Sequence, residues 1–245
     1  MSNPKFFFPT EPFDLNAELS ITAEGDRWCL QTVNPTKTKQ RASGLCRDGD
    51  ETAWQAYGTQ QSVSAVYKCY APTGNLKVPS VGLIANGWHV DSSTVAYSQT
   101  DWPTITLAMH KHDDGASHTK DSCRTYSPGL KMPAQFGVPE LISDTTSVAQ
   151  LKLNNPAIGM RSLSYALSAT HIDENRSNGN WLAGENHDGV ETLDAEFTGA
   201  PDDTDLTVAA GWHRSSEGTT EGNTAVDTKT LSLVRHIGRD KPPTP

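Results

Sequence analysis

The chain has 245 residues, 35% of them hydrophobic, a mean hydropathy of −0.54 and a formal net charge of −9. This length can bury one large or two small cores. The negative charge is the wrong sign for gripping nucleic-acid phosphates, and no segment reaches the ~20 apolar residues of a membrane-spanning helix. The charge is also uneven: from Arg161 onward 14 acidic and seven basic side chains leave −7, against −2 for everything before it.

In chain order, Phe6-Phe7-Phe8 stands between prolines with one lysine before it, too short an apolar run for a secretory signal, so the expected compartment is the cytoplasm. Strands are expected at 17–22 and 27–33, separated by Glu24-Gly25-Asp26. Residues 48–57 read as a short helix with acidic residues at its start, as the helix dipole prefers. Further strands are expected at 62–70, where Val63, Ala65, Tyr67 and Cys69 alternate, and at 81–97 and 104–112. Cys29, Cys46, Cys69 and Cys123 contain no Cys-x-x-Cys pair and read as buried free thiols.

Residues 113–160 are rich in Gly, Pro and polar residues and read as a loop-rich connector, with one or two helical turns within 139–151. Beyond it, 162–169 puts Leu163, Tyr165, Leu167 and Ala169 on one strand face, and 173–180 reads as a turn. Strands follow at 190–198, 206–212 and 224–237, the last with Leu231 and Leu233 facing inward. The proline-rich tail 240–245 reads as extended.

Gly-Trp-His occurs twice, at Gly87-Trp88-His89 and Gly211-Trp212-His213, and each copy runs without a gap to a histidine, His112 or His236. At an offset of 124, residues 87–112 and 211–236 match at nine of 26 positions, against roughly two by chance, which points to duplicated architecture. The expected fold is all-β: antiparallel β-sandwich built from a duplicated four-stranded unit, with a loop-rich connector and little helix. The expected division is a first unit over 1–112 with its N-terminal arm, a connector over 113–160 and a second unit over 161–245.

No Gly-x-Ser-x-Gly elbow, phosphate-binding loop or His-Glu-x-x-His occurs, so no catalytic role is assigned and no cofactor is expected. His110 and His112, with His118 further on, form a weak candidate metal site, since alternation puts the first two on one face. The plainer reading is solvated histidines at a strand end. Trp88, His89, Trp212 and His213 are expected to pack the two units, each tryptophan capping a sandwich edge. Trp88, Trp212 and Trp181 as a sugar-stacking platform are the alternative.

The stretch from Ser162 to Gly199, with the closing Thr-Lys-Thr-Leu-Ser-Leu-Val-Arg-His-Ile, resembles structural proteins of tailed bacteriophages and prophages, in particular tail tube proteins. The resemblance covers mainly 80–112 and 161–238 and lies in strand pattern. It implies a virion protein, made in the host bacterial cytoplasm, that forms homo-oligomeric rings with other virion proteins and lets DNA pass without gripping it. In such a family duplicated tube domains in a trimer mimic a hexameric ring. Ring contacts are then expected from strand edges, the connector and Phe6-Phe7-Phe8. An acidic lumen is expected from Asp194 and Glu196, which share a face, or from Glu191, which has the opposite parity. A head-decoration protein and a carbohydrate-binding module are the alternative functions, and a metal-dependent enzyme at His110 and His112 is the third.

Overall fold

The computed structural model describes residues 14–45, 51–70, 72–112, 124–132, 140–143, 149–153, 159–176, 181–199, 206–208, 210–220 and 227–237. Alternation of apolar and polar residues becomes antiparallel strand over 62–69, 104–112, 162–169 and 190–198, whereas the run expected at 81–97 is broken by the turn at Asn86 and Gly87. Val63, Ala65, Tyr67 and Cys69 are buried, as are Leu163, Tyr165 and Leu167, and Leu231 and Leu233. The strands are β1 (Trp28–Leu45), β2 (Glu51–Cys69), β3 (Ile84–Ala85), β4 (Trp88–Ser98), β5 (Asp101–His112), β6 (Leu130–Lys131) and β7 (Glu140–Ser143). They continue with β8 (Ala149–Leu153), β9 (Gly159–Asn175), β10 (Trp181–Thr198), β11 (Leu206–Val208), β12 (His213–Thr220) and β13 (Thr228–Ile237).

Nine strands form one sheet in the order β1-β2-β5-β4-β9-β10-β13-β12, with β3 paired to β4, and a smaller sheet runs β11-β8-β7-β6. The large sheet is two four-stranded units of the same order, β1-β2-β5-β4 and β9-β10-β13-β12, joined side by side through β4 and β9. Their correspondence holds residue by residue. Val33 faces Ala65 as Leu163 faces Ala195, 130 positions on. His89 faces His110 as His213 faces Val234, 124 positions on.

The irregularities repeat as well. The register shifts beside Gln31, opposite Lys39 and beside Thr52 recur beside Arg161, opposite Ala169 and beside Leu182. The shift at Asp91 recurs at Ser215. A bulge bends and re-aims its strand, so four shared bulges give both units the same shape.

Among the described residues the second layer over the large sheet is not duplicated. Leu15, Leu76, Val81, Tyr126, Leu130 and Met132 join the same buried cluster as the inward side chains of the sheet. Bridges from Leu76 to Met132 and from Val81 to Tyr126 tie two of these segments together.

Four local expectations are corrected. Residues 17–22 are not a strand: a short helix, α1 (Leu15–Glu18), begins where the Asp14 carboxylate accepts from the Ala17 N–H at 3.1 Å, as a capping aspartate does. The helix expected over 48–57 is strand from Glu51 onward, because pairing with β1 outweighs local propensity. Within 139–151 the described residues, 140–143 and 149–151, are strand, in β7 and β8, rather than helical turns. β12 was not expected, and 206–212 supplies only β11, which belongs to the smaller sheet.

Candidate functional site

Four strands at the seam between the units bring polar side chains into one buried cluster. β4 contributes His89 and Asp91, β5 His110 and His112, β9 His171 and Asp173, and β10 Asn186. His89 and His110 are direct cross-strand partners, as are His171 and Asn186. Asp91 is the extra residue of the β4 bulge, placed there by the local break in pairing. Its Oδ1 lies 2.9 Å from His89 Nδ1 and 2.7 Å from His110 Nδ1. The rings of His89, His110 and His171 stand 4.4 to 4.8 Å apart between centroids. Asp173 Oδ1 lies 3.0 Å from His171 Nε2 and 3.2 Å from His112 Nε2. His89, His110, His112 and Asn186 are all buried, so the two histidines expected to be solvated at a strand end are interior.

The hydrogen-bond network fixes which nitrogens carry protons. Asn186 Nδ2 lies 2.8 Å from the Arg124 carbonyl, so it is the amide nitrogen and donates there. It also donates to His89 Nε2 at 3.0 Å, which leaves His89 to donate from Nδ1 to Asp91. The other end of the amide, Oδ1, accepts from His171 Nδ1 at 2.8 Å. Nε2 of His171 is therefore the nitrogen turned towards Asp173.

Electrostatics agree with this assignment. Burial pulls the His89 pKa below the ordinary imidazole value against the hydrogen bond to Asp91, and the neighbouring His110 and His171 add to the lowering. Burial opposes charge on His171 too, but hydrogen bonds with Asp173 and Asn186 outweigh it and hold its pKa above the usual value. Burial alone would raise Asp91, yet hydrogen bonds from His110 and His89 hold it below the ordinary carboxylate range.

Glu191, one of the expected lumen acids, is instead fully buried. It is ion-paired with Arg235, accepts from Tyr165 Oη at 2.7 Å and from the Gly129 N–H at 2.8 Å. A buried carboxylate so fully partnered serves the interior. Asp194 and Glu196 lie on the opposite face, as parity requires. Asp194 accepts from Ser232 Oγ at 2.5 Å, and Glu196 pairs with Arg161 at 3.1 Å. Their face carries mostly small cross-strand residues: one row runs Val66, Thr106, Thr94, Ala166, Thr192, Val234, and the next Lys68, Thr104, Ala96, Ser164, Asp194, Ser232.

Trp88 and Trp212 are 4% and 6% exposed, too covered to serve as a sugar-stacking platform. His89 is interior, whereas its counterpart His213 is exposed. Phe6, Phe7, Phe8 and His118 lie outside the described residues.

Sequence reading brought out His110 and His112 but missed Asp91, His171, Asp173 and Asn186. A signal was present: His89-x-Asp91 and His171-x-Asp173 have the same two-residue spacing as His110-x-His112. No protein-family model matches this chain, and none of the curated proteins compared with it matches in sequence.

Proposed function

We propose that this protein is a self-assembling structural subunit whose copies join edge to edge into a ring, of the kind that stacks into the tail tube of a bacteriophage. The observation that carries this reading is the seam. β4 and β9 join two equivalent units, and the strands at the two outer edges of the described sheet, β12 and β1, are the counterparts of β4 and β9. A chain that already forms this junction once internally carries both halves of it again at its two ends. Such a head-to-tail contact closes into a ring if its rotation closes, and three copies would then supply six units. Unpaired strand edges are costly liabilities in a monomer.

The reading puts the Ser, Thr and Ala face with Asp194 and Glu196 towards the lumen. Most side chains there are short and uncharged or acidic, and the bases Lys68 and Arg161 are ion-paired with Asp101 and Glu196, so the wall would neither obstruct nor hold passing phosphates. In this reading the chain is structural rather than catalytic, its partners are copies of itself and other virion proteins, and DNA is cargo.

Negative-stain microscopy of the purified protein at micromolar concentration is the test. Rings or tubes with a central channel are expected. A monodisperse monomer at every salt and protein concentration overturns the reading.

A further inference from the structure

Asp91 draws on the Nδ1 side of both His89 and His110, while Nε2 of His112 and of His171 both stand against Asp173. Two groups of possible ligands overlap at His110: His89 with Asp91 and His110, and His110 with His171 and Asp173. The first is ruled out by the tautomers. His89 Nδ1 carries the proton it donates to Asp91, because its Nε2 accepts from Asn186. That nitrogen has no lone pair to offer a metal.

The second group has the opposite arrangement. His110 gives its Nδ1 side to Asp91 and His171 donates Nδ1–H to Asn186. Each thereby keeps Nε2 as its ligand atom, oriented by an acceptor behind the ring, as metal-binding histidines usually are. Nε2 of His171 and of His112 lie 3.0 and 3.2 Å from Asp173 Oδ1. The first of these separations is close to the spacing of neighbouring ligands around an ion held at ~2.0–2.1 Å in a tetrahedral site. In the metal-free protein these nitrogens donate N–H to Asp173, and an ion binding there would displace the proton of His171, as metal binding to protonated ligands does.

We propose that His110, His171 and Asp173 form a binding site for a first-row divalent cation, with two imidazole nitrogens, one carboxylate oxygen and a fourth position for water suiting Zn²⁺. Asp91 and Asn186 are its positioning residues. The ion would link β5 of the first unit to β9 of the second across β4, and so staple the seam.

The site belongs to the internal seam alone. The counterparts of His110 and Asp91 are Val234 and Ser215, and those of His171 and Asp173 are Arg41 and Ser43. A junction between two chains would therefore have no such site. The proposal does not depend on the ring reading: metal binding is measured on the single chain.

The test uses the full-length protein, stripped with a chelator and dialysed, then titrated with Zn²⁺ alone against a chromophoric competitor, with bound metal counted by mass spectrometry. One Zn²⁺ per chain and a rise in thermal midpoint are expected. H171Q and D173N, each checked for native circular dichroism, should weaken binding at least tenfold. D91N leaves all three ligands in place and should weaken it ~10–100-fold through lost orientation. Co²⁺ in place of Zn²⁺ should give visible d–d absorption without an intense near-ultraviolet sulfur charge-transfer band. Absence of stoichiometric Zn²⁺ overturns the proposal. So does unchanged affinity in folded H171Q and D173N, or a sulfur band placing the metal on the cysteines.

Discussion

Lys111 and Arg235, 124 positions apart, occupy the same place in the two units: Lys111 Nζ stands 5.4 Å from the Trp88 ring centroid and the Arg235 guanidinium 5.0 Å from that of Trp212. Each cation covers the tryptophan that opens its hairpin, yet only Arg235 has a second task, pairing with buried Glu191. Lys111→Ala should cost about 0.5–1 kcal/mol, the worth of an exposed cation–π contact. Arg235→Ala should cost about 3–5 kcal/mol, because Glu191 would be left as a buried charge without its counter-ion. Urea unfolding of both variants checks the asymmetry, and equal costs would contradict it.

The tryptophans themselves should behave alike. Both rings are nearly buried. Trp88→Ala and Trp212→Ala each remove a large ring from the core and should each cost about 3–5 kcal/mol. Thermal unfolding of both is the check. A near-neutral result for either would mean that its ring does not pack its unit.

Two glycines separate backbone conformation from crowding. Asn86 and Gly87, with φ of 50° and 80°, form the two-residue turn between β3 and β4, the left-handed pair that tight hairpins favour. A Cβ on Gly87 would meet nothing within 4 Å. Gly87→Ala should therefore cost only the left-handed penalty of about 1–2 kcal/mol. Gly82, with φ of 85°, would bring a Cβ to 2.5 Å from the Arg124 carbonyl oxygen and 2.6 Å from Asn186 Nδ2. Gly82→Ala should cost more and should disturb the histidine cluster through Asn186. Chemical shifts of the imidazole nitrogens in the two variants distinguish these effects.

The thiols should differ in reactivity. Cys29 is exposed, whereas Cys69 is buried, and burial, with Asp26 and Cys29 adding to it, pushes its pKa up to about 11. Only the thiolate is nucleophilic. Iodoacetamide at pH 8 should label Cys29 in the native protein and Cys69 only on unfolding, as read by peptide mapping. The linkage has a definite sign. An unfolded thiol ionises near 9.0 and the folded one near 11. This group's stabilisation is therefore complete below about pH 9 and is lost as pH rises towards about 11.

The duplication was legible where rare residues carried it. The hairpins β4–β5 and β12–β13 share Trp, His and a run of Thr, so their equivalence stood in the sequence. The other two pairs, β1–β2 and β9–β10, match in every described bulge yet share only Gly49/Gly179, Ala53/Ala183 and Ala65/Ala195 in identity across 28–69 and 158–199. Register is set by the alternation of inward side chains, and Val63 with Leu193 or Tyr67 with Phe197 satisfies it equally well. The histidine cluster was only half legible. Its members come from four strands, and which strands become neighbours depends on the order in which the two units join. The second layer was not legible, because Leu76, Tyr126 and Met132 lie in segments with no periodic pattern.

The seam also predicts the register between chains. Transferring the β4·β9 pairs to the outer edges places Ser216 opposite Thr38, Glu217 opposite Lys37 and Gly218 opposite Thr36. The acid and base that meet there occupy the places of Ser93 and Leu167 in the internal seam. Lys37→Glu should then weaken assembly through like charge directly across the junction, and adding Glu217→Lys should restore it. Sedimentation velocity reads both steps. Assembly unaffected by the single reversal, or not recovered in the double, would place the contact elsewhere.

The most direct test of edge-to-edge assembly is oxidative cross-linking of K37C with E217C, with the native cysteines replaced by serine. β1 and β12 are the opposite ends of the eight-strand path within one chain, so a 37–217 disulfide can form only between chains of an assembly. Linkage between 37 and 217 is expected in ladders that end at a closed species, with K37C alone giving none. A protein that remains monomeric, or that cross-links 37 to 37, would contradict it.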